Sequence, residues 1–337
     1  SPALLELAER GYFPPYREKS QAGLEILDCK GEPIFHARYP QRVYPSFEAI
    51  PPVVVEALLF IENRELLDTN HPTRNPAIDW TRLGMAVASQ AMRSFGADNP
   101  VPGGSTLATQ IEKYRHSPEG ITSSPSEKLR QMVSASLRAY QHGEDTVAAR
   151  QQIVLDYVNT VPLSAFAGYG EVNGIGDGLW VWYGAEFDDF NQVLRSRTLR
   201  PEAAAAQGLA FRQVLSLMIA HRRPSHYLVG GRAQLAAITD RHLRLLADAG
   251  VISAELRDAA LNAKPRFRDP QSDSPAAPID ADKSASIVRA RLSAMLPVST
   301  RGMWVGTFHG LANRLLRAHH RDAGLPQLFQ ILDSGDQ

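Results

Sequence analysis

The chain has 337 residues, and its 36 Lys and Arg residues balance 36 Asp and Glu residues, so the formal net charge is zero. This balance does not favour nucleic acid or an anionic surface as a partner of the chain as a whole. The single cysteine, Cys29, excludes an internal disulfide and a zinc site built from cysteines. The sequence contains no run of 18 or more apolar residues, so it predicts no membrane span.

The hydrophobic pattern predicts a mainly α-helical fold with a short N-terminal β-hairpin. Alternation over residues 22–37 indicates the hairpin, and Pro51-Pro52 marks the start of a helix that reaches about residue 62. Further helices are predicted at 81–95, 127–140, 147–158, 201–220 and 233–249, with loops at 96–104 and 117–126. A stretch rich in Pro, Asp and Ser at 264–285 indicates a linker.

The segment Gly103-Gly104-Ser105-Thr106 predicts a tight loop that enters a helix. In that helix Thr106, Gln110 and Lys113 share one face, beside the free backbone N–H groups of the helix N-terminus. A hydroxyl, an amide and an ammonium in this place suit an anionic ligand such as a diphosphate. Taken alone, the segment is more typical of an ordinary capped surface helix than of a ligand site.

Five segments occur in the order found in one known family. The segment 103–113 resembles the second signature of the peptidoglycan glycosyltransferases, the transglycosylase module of class A penicillin-binding proteins. Residues 53–64 resemble the first signature, and 153–159, 174–184 and 243–253 resemble three later elements. The resemblance covers about residues 35–265 and implies a mainly α, lysozyme-like glycosyltransferase domain.

The resemblance also implies an active site. Glu62 takes the place of the catalytic carboxylate that serves as the general base; without the family context, it would be an ordinary solvated acid at a helix end. Other residues would position the donor or neutralise its diphosphate. The implied substrate-binding residues are Gly104, Ser105, Thr106, Gln110, Lys113, Lys128, Arg130, Gln131 and Asn159.

The chain departs from the family pattern at several positions near the implied site. Asn63 and Leu66 replace an Asp and a Phe of the first signature, and Tyr114 replaces an Asn of the second. Gln131 stands where the family has a second carboxylate, and an amide carries no charge. One alternative is therefore a domain that binds glycan or lipid II without polymerising it. Glu127, Glu112 or Asp145 would have to lie near Glu62 to replace the missing acid.

The family's substrates imply the partners and the location. We expect lipid II and nascent glycan strands as ligands, with cell-wall synthesis proteins as further partners. The expected location is the extracytoplasmic face of the bacterial inner membrane, with an anchor that is not present in this chain. No residue is assigned to a metal, although Mg²⁺ or Mn²⁺ is compatible with the family's chemistry. No nucleic acid is expected at the main domain.

The last fifty residues have a different resemblance. Residues 302–317, and then 329–334, closely resemble a segment of UvrD-type DNA helicases. The chain contains no Gly-Lys dipeptide and hence no P-loop. A DNA-binding helicase fragment is therefore a third hypothesis, with the tail a natural fusion or an assembly artefact. We expect four parts: an N-terminal segment with the start of the hairpin (1–34), the glycosyltransferase-like domain (35–265), a linker (266–286) and the helicase-like fragment (287–337).

Overall fold

The computed structural model describes residues 23–27, 33–38, 40–78, 105–116, 124–167, 169–196, 203–269, 272–273, 275 and 319. The chain divides into two compact units, Ser1–Pro275 and Ala276–Gln337. The predicted helix at 81–95, Gly104 and, apart from His319, the helicase-like tail lie outside the described residues. What the sequence predicts for them stays a prediction.

The described part of the first unit is mainly helical, which confirms the predicted fold class. The strands form two antiparallel pairs: β1 (Gly23–Leu27) with β2 (Pro33–Arg38), and β3 (Pro162–Phe166) with β4 (Gly170–Asn173). The first pair is the predicted hairpin, and the sequence analysis did not foresee the second. The helices are α1 (Pro52–Glu62), α2 (Leu107–His116), α3 (Pro125–Ala139), α4 (Val147–Thr160), α5 (Ile175–Tyr183), α6 (Phe187–Arg195), α7 (Ala204–Ala220), α8 (Arg232–Asp248) and α9 (Ala254–Asn262).

Helix α7 is the centre of the unit. It is apolar around most of its circumference, and 13 of its 17 residues are buried, as expected for a helix enclosed by others. Helices α1, α5, α6, α8 and α9 pack around it. At Gly208 the backbone of α9 comes so close that a Cβ atom would lie 2.5 Å from the carbonyl carbon of Ala259. A larger residue at this position would separate the two helices.

Buried polar side chains of α7 fix its neighbours. Arg212 donates one hydrogen bond to the Ala260 carbonyl of α9 at 2.9 Å and forms an ion pair of 2.7 Å with Asp240 of α8. Ser216 accepts a hydrogen bond from the hydroxyl of Tyr183 in α5 at 2.6 Å, because its own proton goes to a backbone carbonyl. These contacts fix the position of α7, and hence the position of the residues that follow its C-terminus.

The segment after α9 also packs on this unit. The ring of Phe267 lies 4.6 Å from that of Tyr183, and the backbone N–H of Arg268 donates to the Trp182 carbonyl at 2.8 Å. Phe267 and Arg268, which the sequence analysis assigns to the linker, therefore take part in the packing of the helical unit. The extent of the linker beyond them stays a prediction.

A buried carboxylate attaches the segment after β2 to the helices. Asp177, in the first turn of α5, is fully buried and accepts hydrogen bonds from the backbone N–H groups of Gln41 and Arg42 at 2.9 and 3.0 Å. The hydroxyl of Tyr169 donates a further bond at 3.1 Å. Since a buried carboxylate is costly without donors, these bonds fix the path of the chain toward α1.

A buried arginine organises the loop that follows α1. Arg150 of α4 is only 1 % exposed, and its guanidinium donates to the carbonyls of Leu66, Asp68 and His71 at 3.0, 2.8 and 3.1 Å. These carbonyls belong to the irregular loop directly after Glu62 and would otherwise lack partners in the interior. Arg150 therefore holds in place the C-terminal end of α1.

We expect Arg150→Met to destabilise the first unit strongly. Methionine fills much of the volume but leaves several buried loop carbonyls without a donor, which costs about 3 kcal/mol or more in the free energy of unfolding. Chemical denaturation followed by circular dichroism measures the change. The exposed Arg244→Met on α8 is the control, and a loss for Arg150→Met no larger than that of the control would refute the role of the guanidinium.

Candidate active site

Glu62 is a buried acid at the C-terminal end of a rigid helix. Pro52 occupies the first turn of α1, and the apolar residues that follow bury one face of the helix against the core. The helix ends at Asn63, whose backbone is no longer helical. Glu62 is only 6 % exposed, so its carboxylate must be stabilised by partners from other elements.

Three side chains surround the carboxylate of Glu62. Gln110 of α2 donates from Nε2 to Oε2 at 3.1 Å, and Arg222, just after α7, donates from Nη2 to Oε1 at 3.3 Å. Nε2 of His221 lies 3.8 Å from Oε1. The carboxylate thus lies where the C-terminal ends of α1 and α7 meet helix α2. One of its oxygens accepts from an amide and the other from a guanidinium.

Two largely buried tyrosines, Tyr114 and Tyr157, lie beside these groups. Burial raises the pKa of both the Tyr114 and the Tyr157 hydroxyl, and the charge of Glu62 raises them further. Within the described ranges, the hydroxyl of Tyr157 is buried without a hydrogen-bond partner. The Tyr157 ring packs edge-on against the imidazole of His221, with ring centres 5.9 Å apart. On the side of these rings Glu62 is shielded from water, which strengthens the electrostatic interactions there.

Lys113 is the lysine of the predicted signature, and it is half-buried on α2. Burial lowers the pKa of its ammonium group, and the carboxylate of Glu127 partly offsets this effect. Its charge also acts on His221, whose pKa it helps to lower. Gln110 and Lys113, one helical turn apart, therefore both belong to the surroundings of Glu62.

Other residues of the predicted set are turned into the fold. Thr106 is buried, and its hydroxyl contacts the Ala77 carbonyl at 3.4 Å and the Thr109 hydroxyl at 3.3 Å. Asn159 uses both ends of its amide on Tyr44: Oδ1 accepts from the backbone N–H, and Nδ2 donates to the carbonyl, each at 2.9 Å. These contacts position the loop before α2 and the segment before α1. Ser105, by contrast, is exposed.

The predicted site residues on α3 differ in how far they are buried. Lys128 and Arg130 are exposed, whereas Gln131 is buried. The helix begins at Ser124, whose hydroxyl accepts from the N–H of Glu127 at 3.2 Å, a typical N-terminal cap. The structure thus presents two cations of α3 to solvent and keeps the amide inside.

The carboxylates that could replace the missing second acid have different environments. Glu112 is buried and pairs with Arg115 and Arg138 at 2.7 and 2.9 Å, beside a cavity of about 480 Å³ that Asp145 also lines. Glu62 is not among the residues that line this cavity. Glu127 acts on a residue of the Glu62 surroundings, because its carboxylate raises the pKa of Lys113.

The groups around Glu62 do not fit Mg²⁺ or Mn²⁺. These ions require several oxygen ligands, whereas this carboxylate is met by an amide N–H, a guanidinium and an imidazole. Across the described residues, no group of three or more His, Cys, Asp or Glu could hold a metal ion. The arrangement suits proton transfer and charge neutralisation by side chains.

Among the helices of the described ranges, none is both long and apolar enough to cross a bilayer.

The sequence analysis did not identify His221 and Arg222. They follow an apolar core helix, and Arg222 lies 160 residues from Glu62 in the chain. The pattern contains one signal for them: a His-Arg-Arg run directly after a largely apolar helix, where cations are favoured by the helix dipole.

Comparisons with known proteins separate the two parts of the chain. A family model described as "Transglycosylase" matches residues 30–249, which is 220 of the 337 residues. The "UvrD/REP helicase N-terminal domain" model matches residues 281–337. The same tail is 64 % identical over 56 residues to "DNA helicase II" of Escherichia coli and 55 % identical over 60 residues to that of Haemophilus influenzae. Each match covers 17 % of this chain and only 8 % of the relative's length.

We expect Asn159→Asp to lower stability. The new carboxylate keeps the acceptor for Tyr44 but places a charged oxygen against the Tyr44 carbonyl in a buried site, which costs about 2 kcal/mol or more. Thermal and chemical unfolding measure the loss, with the same change at the exposed Asn262 as control. Unchanged stability would contradict the positioning role of the amide.

Proposed function

The chain belongs to the transglycosylase family, and from that premise we propose that it polymerises peptidoglycan glycan strands from lipid II, with Glu62 as the general base. The family match places the chain in a glycosyltransferase class. The choice of substrate, the base and the extracytoplasmic membrane surface as the place of action are parts of the proposal.

The observation that carries the proposal is the fixed, buried carboxylate of Glu62. A general base must stand where the proton is lost, with its oxygens oriented before the substrate arrives. The hydrogen bonds from Gln110 and Arg222 orient the two oxygens separately, and α1 provides a rigid support. A solvated surface acid would have neither constraint.

The proposed reaction involves one proton transfer, one new bond and one broken bond. Glu62 removes the proton from the 4-hydroxyl of the acceptor sugar, whose oxygen then bonds to the anomeric carbon of the donor sugar with inversion. The bond from that carbon to the diphosphate oxygen breaks, and the polyprenyl diphosphate leaves with the electron pair. Negative charge therefore grows on the leaving group.

Cationic groups near Glu62 suit that leaving group. Lys113 supplies charge from a half-buried position, where water screens it less, and the exposed Arg222 supplies a second charge. The N-terminus of α2, next to Ser105, adds the positive end of a helix dipole. Lys128 and Arg130 are exposed on α3, where they can meet the diphosphate from the solvent side. Gly104 completes this binding surface in the proposal.

A second candidate is a domain of the same fold that binds lipid II or glycan strands without turnover. The observation in its favour is the buried amide of Gln131 in place of a family carboxylate. The tail supports a third, independent proposal of nucleic-acid binding, but it matches 8 % of the helicase length. Neither candidate uses the oriented carboxylate of Glu62, and for this reason we favour the polymerase.

We expect Glu62→Gln to abolish polymerisation and to preserve the fold. Glutamine has the same shape and loses only the proton acceptor, so the turnover number falls about a hundredfold or more. Lipid II consumption by the purified full chain in detergent is the assay, and circular dichroism tests the fold. The control is Glu65→Gln, an exposed acid on the loop after α1. Wild-type turnover in Glu62→Gln would rule out this base.

We expect Lys113→Ala to slow turnover by removing charge from the leaving-group site. The loss should be about tenfold or more in the turnover number, because the charge matters most as the diphosphate departs. The matched control is Lys264→Ala, an exposed lysine just after α9. Equal rates for the two alanine variants would remove Lys113 from the mechanism.

A further inference from the structure

His221 is a buried imidazole beside the carboxylate of Glu62. It is the residue directly after α7, and its side chain is 6 % exposed. One face packs edge-on against Tyr157. It is a titratable group that the mechanism so far leaves without a task.

The two nitrogens of His221 have different partners. Nδ1 lies 2.5 Å from the carbonyl oxygen of Met218, which only accepts, so Nδ1 carries the proton. In the neutral ring Nε2 then has a lone pair, and it lies 3.8 Å from Oε1 of Glu62. A distance of 3.8 Å is too long for a hydrogen bond, and neither atom carries a proton to donate. Once one of the two atoms is protonated, a modest side-chain movement brings them within hydrogen-bond distance.

Burial of the imidazole favours its neutral form, in which Nε2 carries no proton. Burial lowers the pKa of His221; the carboxylate of Glu62 and the Met218 carbonyl act in the opposite direction, and Arg222 and Lys113 lower the pKa again. The neutral groups that face the pair from the other elements are Gln110 and Tyr114 of α2 and Tyr157 of α4.

We propose that His221 receives the proton that Glu62 takes from the acceptor hydroxyl. This inference rests on the proposed function. The acceptor O–H bond breaks and its proton goes to the Glu62 carboxylate; the O–H bond on Oε1 then breaks as an N–H bond forms at Nε2. Glu62 returns to its ionised state, and the imidazolium releases the proton to solvent before the next addition.

This route gives the site a second proton carrier where the family's second acid is absent. Gln131 cannot take up a proton in this pH range because it is an amide. Because His221 acts on the substrate only through Glu62, it is a positioning and proton-relay residue. The relay would make turnover depend on the ionisation of a residue outside the sequence signatures.

The pairing is tested first by titration, without any substrate. Long-range ¹H–¹⁵N NMR of the full chain reports the protonation state of each ring nitrogen of His221 as a function of pH. We expect the Nδ1–H form at neutral pH, a midpoint below the usual histidine value, and a further shift to lower pH in Glu62→Gln, since the carboxylate favours the imidazolium. The Nε2–H form, or an unchanged midpoint in Glu62→Gln, overturns the proposal.

The relay is then tested by kinetics. We expect His221→Gln to lower the turnover number about tenfold or more, with KM nearly unchanged, because the change affects the chemical step. The acid side of the pH–rate profile should also become less steep, by the loss of one ionisation. The control is His226→Gln, an exposed histidine five residues further on. A wild-type turnover number or an unchanged pH profile in His221→Gln overturns the relay.

The titration and the kinetic assay together also distinguish a failure of this inference from a failure of the proposed function. If the wild type makes no polymer while the titration shows the shift in Glu62→Gln, the proposed polymerase function fails and the Glu62–His221 proton pair is supported. If the wild type polymerises and the titration shows no shift, the function stands and the relay fails.

Discussion

The burial of one carboxylate, that of Glu62, is the constraint on which the rest of the site depends. A buried anion is stable only with donors at fixed positions, and these come from Gln110 on α2 and Arg222 after α7. Each donor needs its own support. Helix α7 is enclosed by five other helices, and Arg150 holds the loop after α1. Much of the packing therefore serves to bring two distant helix ends to one carboxylate.

The same arrangement bears on the positions where the chain departs from its family pattern. Cations and an imidazole, rather than a second carboxylate, surround Glu62. In the proposed mechanism, Lys113 and Arg222 supply charge for the leaving anion, and His221 takes up a proton. The loss of the carboxylate at Gln131 is thus compatible with catalysis in physical terms.

The sequence predicted what depends on local spacing and missed what depends on distant chain segments. Helix α1 with Glu62 at its end, and Gln110 and Lys113 on one face of α2, follow from helical periodicity. The inward direction of Thr106 and Asn159 does not, because a polar side chain at a predicted site can bind either substrate or backbone. His221 reaches Glu62 only through the packing of α7, which no local pattern encodes. The contacts of Thr106, Asn159 and His221 all depend on tertiary structure.

The most direct test of the central claim follows the fate of lipid II itself. The full chain is incubated with labelled lipid II in detergent, and both binding and the length of lipid-linked products are measured. The account predicts glycan strands that a muramidase cleaves back to disaccharide units. Folded protein that binds lipid II and leaves it as monomer would contradict the account and identify a binding domain.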